Sequence, residues 1–158
     1  MSFETAYLAL NALVAPAWAL LILLPRAGVT RAVVHSGPYP LVYGAIYCVS
    51  LGAALFFGQS DPQAGMGSLA GVMALFSHPN GVITGWTHFL AFDLFVGAWI
   101  GRDAQRRGVP HLAVIPCLLF AFVFGPVGLL LYLLLRMALK KGGLDLFETQ
   151  IPSASNAS

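Results

Sequence analysis

Four apolar stretches, 5–24, 38–57, 81–100 and 109–136, alternate with short connectors rich in glycine, proline or arginine. Each reaches the roughly 20 residues, about 30 Å of helix, that a hydrocarbon core requires. The pattern predicts an all-α fold, an integral membrane bundle of four transmembrane helices. A further apolar segment, 66–76, is too short to cross and too apolar for a plain loop, so it is expected as a short interfacial or re-entrant helix. Residues 25–37 are expected as a polar loop. The transmembrane domain then spans 1–141, and 142–158 is a polar C-terminal tail whose end has the composition of a disordered segment. The fourth stretch is longer than a bilayer needs, and Pro116 or the Gly125-Pro126-Val127-Gly128 unit is where it is expected to bend or break.

Polar residues inside these stretches are the candidates for chemistry. The third reads GVITGWTHFLAFDLFVGAWIG over 81–101 and carries His88 and Asp93. An intramembrane carboxylate costs a few kcal/mol unless it is paired or faces a cavity, which makes Asp93 the first site candidate. Gly81, Gly85, Gly97 and Gly101 lie on a four-residue ladder with Asp93, so Asp93 is expected to point into protein. His88 sits about 140° around the helix from it and must find a partner on another span. Thr84, one turn before His88, is placed to orient it. In the first stretch Asn11 is expected to face the bundle. In the second, Tyr39, Tyr43 and Tyr47 recur every four residues, and so do Gly44, Cys48 and Gly52. The small stripe is expected against another helix, while the deeper hydroxyls of Tyr43 and Tyr47 need partners or a polar ligand. His78 falls in the turn before the third stretch, as a turn residue or at a site mouth, with Asn80 as the expected helix cap.

Composition agrees with the membrane reading: of 158 residues 58% are hydrophobic and 9% charged, with mean hydropathy +0.81. The net charge of +2 comes from basic residues at stretch ends, a pattern of membrane orientation that implies no nucleic-acid partner. With four crossings, Arg26, Arg31, Arg102, Arg106 and Arg107 fall on one side and Arg136, Lys140 and Lys141 on the other. Both termini are then expected outside the cytoplasm of a multi-pass protein. Cys48 and Cys117 stand alone, and the four histidines show no ligand spacing, so neither a disulfide nor a metal is expected. Phosphate-loop, serine-hydrolase, zincin and dinucleotide motifs are absent from the sequence. What remains is a bundle with a carboxylic acid, imidazoles and hydroxyls, suited to acid–base work on an apolar substrate without a cofactor.

The run His78-Pro79-Asn80-Gly81, the segment from Gly85 to Gly97 with its HFLAFDLFVG core, Arg102-Asp103 and the Gly125–Gly128 unit resemble the abscisic-acid-deficient-four-like membrane family over roughly 5–140. The resemblance implies a four-helix membrane protein that, in plants, is required to make neoxanthin from violaxanthin by opening an epoxide and isomerising it to an allene. It points to a carotenoid or other isoprenoid ligand, with Asp93 as acid, His88 as base, and Tyr43, Tyr47 and Trp86 lining a polyene channel. Thr84, Asn11 and His78 complete the expected binding set. Without a plastid transit segment the chain looks bacterial, placed in the cytoplasmic membrane. The alternatives are a carotenoid- or lipid-binding or assembly protein working with a partner enzyme or as a homo-oligomer, and, more weakly, a small proton-coupled carrier.

Overall fold

The computed structural model describes residues 2–147, and the expected disordered tail end lies outside them. Its helices are α1 (Phe3–Leu23), α2 (Gly28–Val33), α3 (Pro38–Phe56), α4 (Leu69–Ser77), α5 (Pro79–Arg106), α6 (His111–Phe124) and α7 (Pro126–Ala138). Of these, α1, α3 and α5 lie in segments long and apolar enough to cross a membrane. The connector expected as a plain loop contains α2, one short turn of helix closed by the Thr30 hydroxyl donating to Leu24 O.

The third stretch extends beyond 81–100 at both ends and becomes α5, the mast of the bundle; α1, α3, α4, α6 and α7 all pack on it. Its start is capped by His78, whose Nδ1 accepts from the Asn80 amide, with Pro79 in the first turn where no donor is needed. Asn80, expected as the cap, instead donates its side-chain amide to Ser50 O and Gln59 O and ties α5 to the end of α3. The glycine ladder of α5 serves several neighbours. A Cβ at Gly81 would collide with Leu75 O and one at Gly85 with the Phe76 ring, both on α4, while one at Gly97 would lie 2.5 Å from the Trp18 ring on α1. The short apolar segment is thus a nine-residue helix folded against the start of α5.

The fourth stretch differs most from expectation. In place of one crossing over 109–136 there are two helices of 14 and 13 residues, each about 20 Å long and short of a hydrocarbon core. Pro116 is accommodated inside α6, and the break falls at Gly125-Pro126. Proline cannot donate the bond that would continue α6. Gly128 lets α7 lie directly on α6, since a Cβ there would be 2.2 Å from Ala121 N. The two helices form a re-entrant hairpin: His111 Nε2 donates to Ile22 O at the end of α1, the Gly125 turn meets Asp93 midway along α5, and Tyr132 and Arg136 return to Asp103 near the end of α5.

That fold-back changes the charge count. Residue Phe3 packs on His78 at one end of the bundle, whereas Arg136 lies at the other, so the described chain ends are at opposite ends and not on one side. Arg26, Arg31, Arg102, Arg106, Arg107, Arg136, Lys140 and Lys141, all eight basic residues of the chain, share the end where α1 stops and α6 starts. Glu4 and Asp61 lie toward the opposite end. By the basic-loop rule the arginine-rich end is expected to face the cytoplasm. In a variant with Cys48 and Cys117 replaced by alanine, Ser2→Cys is expected to react with an impermeant maleimide on intact cells, and Lys140→Cys only after permeabilisation. Labelling of both Ser2→Cys and Lys140→Cys in intact cells would restore the four-crossing topology.

Candidate functional site

The small stripe of α3 does not pack against a helix. Nothing lies within 4 Å of a Cβ built at Gly44 or Gly52, and Cys48 is exposed. Missing side-chain volume there leaves a groove along the α3–α5 seam, occupied by three cavities in line. The middle one, about 470 Å³, is walled by Gly44, Tyr47, Cys48, His88, Ala91 and Phe95. It shares Tyr47 and His88 with a larger cavity of about 610 Å³ that runs under α4 past Leu51, Val72, Phe76 and Thr84. Toward the basic end it shares Pro40, Tyr43, Ala91 and Phe95 with a third of about 350 Å³. From Gly81 to Arg102, the α5 residues that bound the groove cover about 32 Å of helix axis.

His88 and Tyr47 face one another across the junction of the two larger cavities, with ring centroids 5.9 Å apart. Phe92 packs beside the imidazole at 4.6 Å and Phe89 edge-on at 6.2 Å. Neither the His88 ring nor the Tyr47 hydroxyl has a hydrogen-bond partner among the described residues. An imidazole and a phenol held in an apolar wall without internal partners are available to a ligand. Thr84 lines the same groove, but its hydroxyl donates to Asn80 O, so it borders the site and does not orient His88.

Other expected site residues are engaged within the bundle. Tyr43 is fully buried and its hydroxyl donates to Leu10 O at 2.7 Å, which makes it a clamp between α3 and α1 that backs the groove wall. Trp86 points to α1: its Nε1 donates to Asn11 Oδ1 at 3.3 Å and its ring meets Tyr7, so Trp86 and Asn11 form a bundle contact outside the three cavities. His78 is the α5 cap. Asp93 points into protein, as the ladder predicts, but toward the α6–α7 turn: a Cβ at Gly125 would lie 2.0 Å from its Oδ1. It lines none of the three cavities. The structure therefore brings His88, Tyr47, Thr84 and the ring of Tyr43 to one groove and leaves Asp93 on another face.

A polar cluster that the sequence reading did not single out lies at the basic end. Asp103, 1% exposed, accepts from Tyr132 Oη at 2.6 Å, Arg136 Nη1 at 2.7 Å, Arg107 Nε at 2.9 Å and Arg106 Nη2 at 3.2 Å. Arg136, with 0% exposure, also donates to Gly143 O and to Asp145 O, and its guanidinium lies 5.8 Å from the Trp99 ring centroid. The signal available was Asp103 among arginines, since an acid there opposes the charge trend of its loop. Residues 142–145 are held against this cluster and are not a free tail.

Comparison with known families gives a match to the profile described as ABA DEFICIENT 4-like over residues 5–132. The chain belongs to the ABA DEFICIENT 4-like family. This membership, with the three long apolar helices, makes it a membrane protein of the neoxanthin-synthesis type at the family level. Searches of curated proteins and of solved structures find no match. The ABA DEFICIENT 4-like match takes in α1 to α5, α6 and the first half of α7, including every groove residue and Asp103.

Proposed function

We propose that this ABA DEFICIENT 4-like protein holds an elongated polyene in the α3–α5 groove and isomerises it there by acid–base chemistry, with His88 and Tyr47 as the catalytic residues. The observation that carries the reading is the line of three cavities with a single unpartnered imidazole–phenol pair at their junction. Epoxide opening to an allene is an isomerisation and needs no oxidant or reductant. In the proposed step neutral His88 takes the proton from the ring-adjacent chain carbon, the electron pair of that C–H bond forms the new double bond, the epoxide C–O bond breaks, and Tyr47 Oη–H protonates the leaving oxygen. Proton return from His88 to Tyr47 restores the site. Asp93, on the far face, acts in this reading by fixing the turn of the hairpin behind the groove.

The position of Asp93 also favours a second reading, in which the groove stores or presents a polyene without chemistry, because the carboxylic acid is turned away and a single imidazole–phenol pair faces the ligand. Incubation of the purified protein with an epoxidised xanthophyll, followed by pigment separation, distinguishes the two. Conversion by wild type is expected to fall by about 10²- to 10⁴-fold in His88→Ala and to be impaired in Tyr47→Phe. Wild-type conversion in His88→Ala overturns the assignment, and pigment retained without any conversion by wild type selects the binding reading.

A further inference from the structure

At the basic end of the groove, the cavity of about 350 Å³ is bordered by His35, Tyr39, Leu94, Ala98 and Arg102. Both ring nitrogens of His35, Nδ1 and Nε2, are buried with no hydrogen-bond partner among the described residues. The Ser36 and Thr30 hydroxyls are engaged elsewhere: Ser36 Oγ donates to Ala32 O and Thr30 Oγ1 to Leu24 O. Buried donors and acceptors are almost always satisfied, so an imidazole with both nitrogens unmet, on the wall of a cavity, indicates a bound polar group. The same cavity continues into the groove through Pro40, Ala91 and Phe95. A polar group bound there would stand at the end of a ligand lying along the groove.

We infer that His35 forms an end-group subsite, binding a hydroxyl carried by the terminal ring of an elongated apolar ligand. The inference rests on the groove reading above and adds to it a specificity-determining residue, His35, which selects among polyenes by a hydroxyl at the end of the ligand. A hydroxyl suits the position because it both donates and accepts and so meets either nitrogen of a neutral imidazole. Anchoring one end beside Arg102 sets the register: His88 lies about 21 Å further along α5, so the ligand presents its opposite end to His88 and Tyr47. The subsite selects which molecules lie in register and takes no part in the proton transfers.

Three C40 polyenes, one with a hydroxyl on each end ring, one with a single hydroxyl and one hydrocarbon, test this by retention on the detergent-purified protein. Wild type is expected to hold the dihydroxylated polyene roughly tenfold more tightly than the hydrocarbon. His35→Phe is expected to lose that preference while keeping its hydrocarbon affinity, and His35→Gln to keep part of it. A preference in His35→Phe equal to wild type, or equal binding of all three by wild type, overturns the subsite and leaves the groove reading standing. If wild type holds none of the three, the groove reading falls. The subsite then stands or falls on the ¹⁵N shifts of the His35 imidazole: a change on adding n-dodecanol supports a hydroxyl site, and a change only with anionic phospholipid overturns it.

Discussion

Replacing Asp103 by alanine is expected to release the α6–α7 hairpin from α5 and to cost about 3–5 kcal/mol, the range for breaking a buried ion pair from one side. Arg136 would be left wholly buried with its charge unmatched by any side chain as close, since Asp145 lies 3.8 Å from it and is itself partly exposed. Tyr132 Oη would lose its acceptor in the same step. Heating the detergent-solubilised protein and following α-helix signal and protease resistance measures the loss, with cleavage expected first between α6 and the end of α7. Asp103→Asn keeps an acceptor for Tyr132 and is expected to recover only part of the stability, because the charge is what Arg107 and Arg136 require. A melting point for Asp103→Ala within a degree or two of wild type would remove the cluster from any structural role. Acid works in the same direction at the edge of the cluster. The hydrogen bond from Arg107 holds the exposed Asp145 carboxyl below the usual carboxylate range. Its contribution is therefore complete at neutral pH and fades as the pH falls through that lowered value.

Gly128→Leu is expected to open the hairpin, at about 3 kcal/mol or the upper part of the range for overpacking. A Cβ at Gly128 would stand 2.2 Å from Ala121 N and 2.4 Å from its Cα. These are backbone atoms and cannot rotate away, so α7 must shift relative to α6 and carry the Gly125 turn away from Asp93. Gly44→Ala and Gly52→Ala are the contrasting pair. Both positions have open space, and alanine in a helix is favoured over glycine by about 0.8–1 kcal/mol, so neither is expected to destabilise. Comparing the three variants by thermal unfolding, with maleimide labelling of Lys140→Cys in each, separates loss of the hairpin from general weakening. Equal stability of Gly128→Leu and wild type would mean that α6 and α7 do not pack backbone to backbone.

Much of the bundle was legible from residue pattern. Apolar length located α1, α3 and α5, the short segment before His78 became α4, and the rarity of a carboxylate in such a run drew attention to Asp93. The HFLAFDLFVG core, with His78–Gly81, Arg102-Asp103 and the Gly125–Gly128 unit, placed the family that the profile match shows. The ladder of glycines predicted close approach on α5, and close approach is found at Gly81, Gly85 and Gly97. Which neighbour approaches was not legible, because a helix face specifies a direction and the partner in that direction depends on how every other helix is arranged. The stripe at Gly44, Cys48 and Gly52 shows the same ambiguity: small residues permit either a packed helix or an open groove, and here they leave the groove.

By itself, then, the sequence determined an all-helical membrane protein, a polar α5 and, of the four crossings it predicted, the three that are long apolar helices, because length and hydropathy are local quantities that a bilayer reads directly. Only the tertiary structure decided that the segment 109–136 turns back at Gly125-Pro126, that Arg136 is buried on Asp103, and that His88 meets Tyr47 while Asp93 meets the hairpin turn. Apolar surface is satisfied equally by crossing the bilayer and by folding against another helix, so hydrophobicity alone does not choose between them. The choice was made by residues far apart in the chain, a glycine that admits a backbone and a carboxylate that awaits an arginine.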